Sequence, residues 1–104
     1  MSPPVLQMIR SLFPGLLLLF TLAACSINPP VQEMSNARQT IQSAYDVKAQ
    51  RFAPIPLKEA ERLLLQATEA LDAGNYLGAR EYAIAAQQQA IKARQQALAN
   101  NKSE

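Results

Sequence analysis

The 104-residue chain contains no histidine, no tryptophan and a single cysteine, Cys25. Without histidine there is no imidazole to bind a metal, to act as a general base near neutral pH or to form a Ser-His-Asp triad. With one cysteine, no disulfide can form within the chain. The sequence also has no glycine-rich phosphate loop and no Gly-x-Ser-x-Gly turn. We therefore predict a non-enzymatic protein without metal or cofactor, and a carboxylate-only mechanism is the one enzymatic alternative left.

The chain also has little excess of either charge. Ten basic side chains and eight acidic ones give a net charge of +2. A nucleic-acid-binding domain typically concentrates basic residues in one stripe, with aromatic residues between them. Here the charges are spread along the chain and aromatic residues make up 6% of it. We therefore predict that the protein does not bind nucleic acid.

The first 24 residues have the layout of a secretory signal peptide. A leader with one basic residue, Arg10, precedes an apolar stretch from Leu12 to Thr21. This stretch is shorter than the ~20 apolar residues of a membrane-spanning helix and fits the ~7–15 residues of a signal-peptide core. It is followed by the tetrapeptide Leu22-Ala23-Ala24-Cys25.

This tetrapeptide resembles the lipobox of bacterial lipoproteins, in which the cysteine receives a diacylglyceryl group and cleavage falls just before it. The resemblance implies removal of residues 1–24, an acylated amino terminus at Cys25 and palmitate-like chains that hold the protein on a membrane. In that family an aspartate after the cysteine favours the inner membrane, so Ser26 implies the outer membrane and a domain in the periplasm. An ordinary signal peptide or an uncleaved anchor are the alternatives.

After a lipidated tether, residues 25–30, the apolar pattern predicts three helices. Pro29 and Pro30 disfavour helix before residue 31. The first helix is predicted over residues 31–51, because its apolar positions recur at helical spacing and the aliphatic stem of Lys48 extends the stripe. The other residues of this stripe are Met34, Ala37, Ile41, Ala44 and Tyr45.

The segment Phe52-Ala53-Pro54-Ile55-Pro56 predicts a turn, because each proline lacks a backbone donor and restricts its predecessor. A second helix is predicted over residues 57–73. Gly74 is expected to end it in the left-handed conformation, and Asn75 to cap the next helix. The apolar stripe of this second helix consists of Leu57, Ala60, Leu64, Ala67 and Leu71, widened by Leu63 and Ala70.

The third helix is predicted over residues 76–99, with a frayed tail at 100–104. Its apolar residues alternate gaps of three and four, which is typical of a packing seam, and alanine allows close approach of helices. We call this set the alanine seam. It comprises Tyr76, Ala79, Ala83, Ala86, Ala90, Ala93 and Ala97.

Two resemblances concern residues 25–104. The segment from Ala70 to Ala83 resembles a tetratricopeptide-type helical hairpin. Most of the chain after Cys25 resembles the group catalogued as domain of unknown function 4398, small helical envelope lipoproteins without an established activity. Phe52 stands where tyrosine is commoner in that group. The matching positions are Cys25, Pro29-Pro30, Ala37, Ala44, Phe52-Ala53-Pro54, Leu57, Ala60, Ala73, Asn75-Tyr76 and Ala79-Arg80.

Together these features predict an all-α, three-helix domain whose second and third helices form the hairpin. The predicted function is a lipid-anchored adaptor that binds an unidentified envelope protein. The alternative is a coiled-coil oligomer that spaces the outer membrane from the cell wall. A covalent link to peptidoglycan through a terminal lysine is not expected, because the chain ends Lys102-Ser103-Glu104.

Three residues are candidates for contact with a partner. Leu65 is surrounded in sequence by polar and charged residues, although a single exposed leucine is ordinary on a protein surface. Tyr76 and Tyr82 carry hydroxyls that could meet a ligand, and the alternative for Tyr76 is packing in the hairpin. The carboxylates of the second helix with Arg62 are interpreted as a solvated face with helical ion pairs.

Overall fold

The computed structural model describes residues 29–103, and all regular structure in that range is helical. Helix α1 spans Val31–Asp46, α2 Ala49–Phe52, α3 Pro54–Asp72 and α4 Tyr76–Lys102. The predicted signal peptide, the lipobox and Cys25 lie outside the described residues. Among the helices of the described range, none has the length and apolar character that crossing a membrane requires.

The core is built from alanines on α4 that pack against α1 and α3. Six residues of the alanine seam, from Ala79 to Ala97, have no solvent-exposed surface, so the predicted seam is confirmed as a packing face. Tyr76 is the exception, because 42% of its surface is exposed. Toward the start of α4, Ala83 meets Met34 of α1 and Ala67 of α3. Toward its end, the seam packs against a second cluster formed by Ile41, Ala44, Ala49, Ala53, Leu57 and Ala60.

The predicted continuous helix over residues 31–51 is wrong, because α1 ends at Asp46 and Lys48 adopts a left-handed conformation with φ 62°. The charges explain the break. In an unbroken helix, Lys48 and Arg51 would follow Ala44 at intervals of four and seven and would share its buried face. The break instead turns Ala49 into the core and leaves Lys48 exposed, so the predicted packing of the Lys48 stem is also wrong.

Helix α3 begins at Pro54, three residues before the predicted start, and includes both prolines in its first turn. The first backbone N–H groups of a helix have no intrahelical acceptor, so proline there sacrifices no hydrogen bond. The backbone N–H of Leu57 makes a helical hydrogen bond to the Ala53 carbonyl at 3.4 Å. The two prolines therefore initiate the helix that we expected them to precede.

The turn between α3 and α4 has the predicted form. Gly74 has φ 79°, and the N–H of Asn75 donates to the Ala70 carbonyl at 2.8 Å. With the bond from the Gly74 N–H to the Leu71 carbonyl at 3.0 Å, this is a Schellman motif. The Asn75 side chain accepts from the Gly78 N–H at 3.0 Å and caps α4, as predicted.

Helix α4 extends to Lys102, so the predicted frayed tail is wrong for residues 100–102. A tertiary hydrogen bond accounts for the extension. The Asn100 amide donates to the backbone carbonyl of Phe52 at 2.7 Å, which fixes the last turn of α4 to the end of α2. It also satisfies a carbonyl at a helix terminus, where intrahelical donors are lacking.

Candidate interaction surfaces

An open groove of about 680 Å³ lies between α3 and α4, and we call it the α3–α4 groove. Ile55 lines this groove and exposes 82% of its surface, more than any other large apolar side chain in the described range. A single exposed apolar side chain is ordinary on a protein surface, and Ile55 becomes a candidate contact because it lines an open groove. The lining residues are Ile55, Pro56, Lys58, Glu59, Arg62, Gln89, Lys92 and Gln96.

The α3–α4 groove has an excess of positive charge. Arg62 donates to both carboxylate oxygens of Glu59, at 2.9 and 2.5 Å, and these hydrogen bonds lower the pKa of Glu59. This pair is internally neutral. Within residues 29–103, neither Lys58 nor Lys92 has an ion-pair partner, so two positive charges are left to attract an acidic group.

A second depression, the α1–α3 groove, has a volume of about 400 Å³ and contains Leu65, which is 59% exposed. At its edge the Tyr45 hydroxyl donates to the Glu61 carboxylate and bridges the two helices. That hydrogen bond raises the pKa of Tyr45, because it stabilises the protonated phenol. The bridge fixes α1 against α3 without covering Leu65.

The three sequence-predicted contact residues lie in different places. Leu65 lines the α1–α3 groove. Tyr82 is partly exposed on α4 and does not line the α1–α3 groove. Tyr76 is exposed at the first position of α4. The structure therefore does not assemble the three into one site.

The residues that distinguish the α3–α4 groove were not identified from the sequence. Ile55 was read as part of a proline turn, and Lys58 and Lys92 are on different helices. The sequence places Ile55 between two prolines, but its exposure follows only from the packing of the helices. Within residues 29–103 no cluster of three or more metal-ligating side chains occurs, and the groove offers apolar contact and positive charge for noncovalent recognition.

Comparison with protein-family models identifies a match for most of the chain. The model of the family described as Domain of unknown function (DUF4398) matches residues 32–104, which include all of α2, α3 and α4 and nearly all of α1. No curated protein and no solved structure matches the chain significantly. The family match covers more than half of the chain and agrees with the resemblance carried by its proline, alanine and Asn75-Tyr76 motifs. The chain therefore belongs to the DUF4398 family.

Proposed function

We propose that this protein is a lipid-anchored, non-enzymatic adaptor of the cell envelope. A signal peptide, residues 1–24, would direct export, and the lipobox would lead to acylation of Cys25. Ser26 favours the outer membrane, with the helical domain in the periplasm. The sequence Leu22-Ala23-Ala24-Cys25 after a short apolar stretch supports this location.

The observation that supports the adaptor proposal is the burial of the alanine seam against other helices of the same chain. Because the seam is buried between helices of one chain, it is not free for assembly, while the α3–α4 groove stays open. Ile55, Lys58 and Lys92 suit a partner segment that is apolar and acidic. The α3–α4 hairpin, with Gly74 in the turn and Tyr76 opening α4, resembles tetratricopeptide hairpins, and we propose that it presents the groove in a similar way.

One observation favours the alternative, a coiled-coil spacer. Helix α4 carries a second row of exposed apolar residues at intervals of seven: Leu77, Ile84, Ile91 and Leu98. A coiled-coil seam uses two apolar positions in each heptad, and this row supplies one. The row is therefore narrow for an elongated oligomer, and the adaptor is the better supported function.

The lipid anchor is tested by Cys25→Ser. We expect the variant to accumulate as an unprocessed precursor and to incorporate no labelled fatty acid, because the acyl acceptor sulfur is missing. The measurement is metabolic labelling followed by electrophoresis, with Ser26→Ala as a control that retains the cysteine. Normal labelling and processing of Cys25→Ser would exclude the lipoprotein proposal.

The α3–α4 groove is tested by placing a photoreactive amino acid at position 55 in intact cells. Because Ile55 is 82% exposed, the replacement should not disturb the fold. We expect a discrete crosslink to another envelope protein, weakened by Lys58→Glu together with Lys92→Glu. The matched control is position 39 on α1, where Gln39 is exposed outside the groove. Crosslinks mainly between copies of this chain would favour the spacer.

A further inference from the structure

One end of the helical bundle brings together the start of α1, the end of α3 and the start of α4. The Arg80 Nε atom lies 3.2 Å from the Glu33 Oε1 atom, which joins the second turn of α4 to the first turn of α1. Just inside this ion pair, Met34 packs with Ala67 and Ala83, and Leu71 near the end of α3 covers them. The α3–α4 turn therefore lies at the end of the bundle where the chain enters it.

This end exposes three large apolar side chains, which we call the apolar end: Val31, Tyr76 and Leu77. Their exposed fractions are 63%, 42% and 65%. Leu77 differs from the other members of its heptad row, since Ile84, Ile91 and Leu98 are each about 40% exposed. The turn between Asp72 and Tyr76 adds no bulky side chain that could cover them.

The length of the preceding chain limits what can cover the apolar end. Five residue steps separate Cys25 from Pro30. A fully extended segment of this length spans at most about 18 Å. Once Cys25 is acylated, Pro30 is therefore held within that distance of the lipid surface, and Val31 of the apolar end follows it directly. This step rests on the proposed lipid anchor.

We propose that the apolar end of the bundle rests on the bilayer, with Val31 and Leu77 entering the boundary between headgroups and acyl chains. Tyr76 suits the same depth, because tyrosine is enriched at membrane interfaces. Charge does not attract this end to anionic headgroups. Glu33 and Arg80 neutralise each other, and the other exposed charges nearby, Glu69, Asp72 and Glu81, are acidic, so anionic lipids offer no advantage.

This contact sets the orientation of the whole domain. With its first turn at the membrane, α4 projects away from it, and its 27 residues extend about 40 Å. Ile55 and Gln96 mark the far part of the α3–α4 groove, near the end of α4. In this orientation the apolar end contacts the membrane, and the groove lies away from the lipid where a periplasmic partner can reach it.

The test uses tryptophan emission, since the chain contains no tryptophan of its own. The acylated protein, beginning at Cys25, is purified as the Leu77→Trp variant and reconstituted into phosphatidylcholine vesicles with brominated acyl chains, which quench nearby indoles. The control is Leu98→Trp, in the same heptad row and about 32 Å further along α4. We expect quenching and a blue-shifted emission for Leu77→Trp, and unquenched emission for Leu98→Trp.

Each other outcome overturns the proposal in a recognisable way. Equal quenching of both variants would mean that α4 lies flat on the membrane. Unquenched emission of both, in protein that floats with the vesicles, would mean that the anchor holds while the apolar end stays in water. Protein that carries no acyl chain and does not float would instead contradict the proposed lipid anchor. Circular dichroism of both variants verifies that the helical fold is retained.

Discussion

Replacement of Ala90 by leucine is expected to lower the melting temperature of the domain at every protein concentration. Ala90 has no exposed surface and packs in one cluster with Ala44 of α1 and Ala60 of α3. A leucine side chain has no space where three helices approach this closely, and overpacking of a core typically costs about 1–3 kcal/mol. In a domain of this size each kcal/mol corresponds to about 4–8 °C.

The measurement is thermal unfolding of residues 26–104 followed by circular dichroism. Gln88→Leu is the matched control, because Gln88 lies on the exposed side of the same helix and should shift the melting temperature little. Across a hundredfold dilution series the wild-type melting temperature should stay constant. If it rises with concentration, association contributes by mass action, and the seam would then serve an oligomer as the spacer alternative requires.

Replacement of Gly74 by valine is the second large expected effect. Gly74 has φ 79°, and a Cβ atom built on it meets nothing within 4 Å. The penalty is therefore conformational, since an L-residue in the left-handed region loses roughly 1–2 kcal/mol and a β-branched residue is the least suited to it. Strain at this position also threatens the Schellman hydrogen bonds that end α3.

Gly74→Asn is the informative comparison, because asparagine tolerates the left-handed conformation better than other side chains. We expect a clearly smaller loss of thermal stability for this variant than for Gly74→Val, measured on the same protein residues 26–104. Equal losses would point to a steric conflict in place of backbone strain. An unchanged melting temperature in Gly74→Val would contradict the tight turn between α3 and α4.

The sequence by itself determined the features that depend on neighbouring residues along the chain, such as helix faces and turns. The three-four spacing from Ala79 to Ala97 marks one helix face, whatever packs against it. Gly74 followed by Asn75 combines a residue that accepts positive φ with one that caps a helix. The composition also excluded imidazole chemistry and a disulfide within the chain, because the sequence has no histidine and one cysteine. These conclusions need no knowledge of neighbouring helices.

Tertiary packing decided the rest. A left-handed Lys48 has no local signal. The break after α1 places Ala49 and Ala53 in the core and keeps Lys48 and Arg51 exposed. The α3–α4 groove combines Ile55 with Lys92, 37 positions later in the chain. Periodicity reports which residues share a helix face, but only the packed bundle determines which faces stay uncovered, because exposure depends on the neighbouring helices.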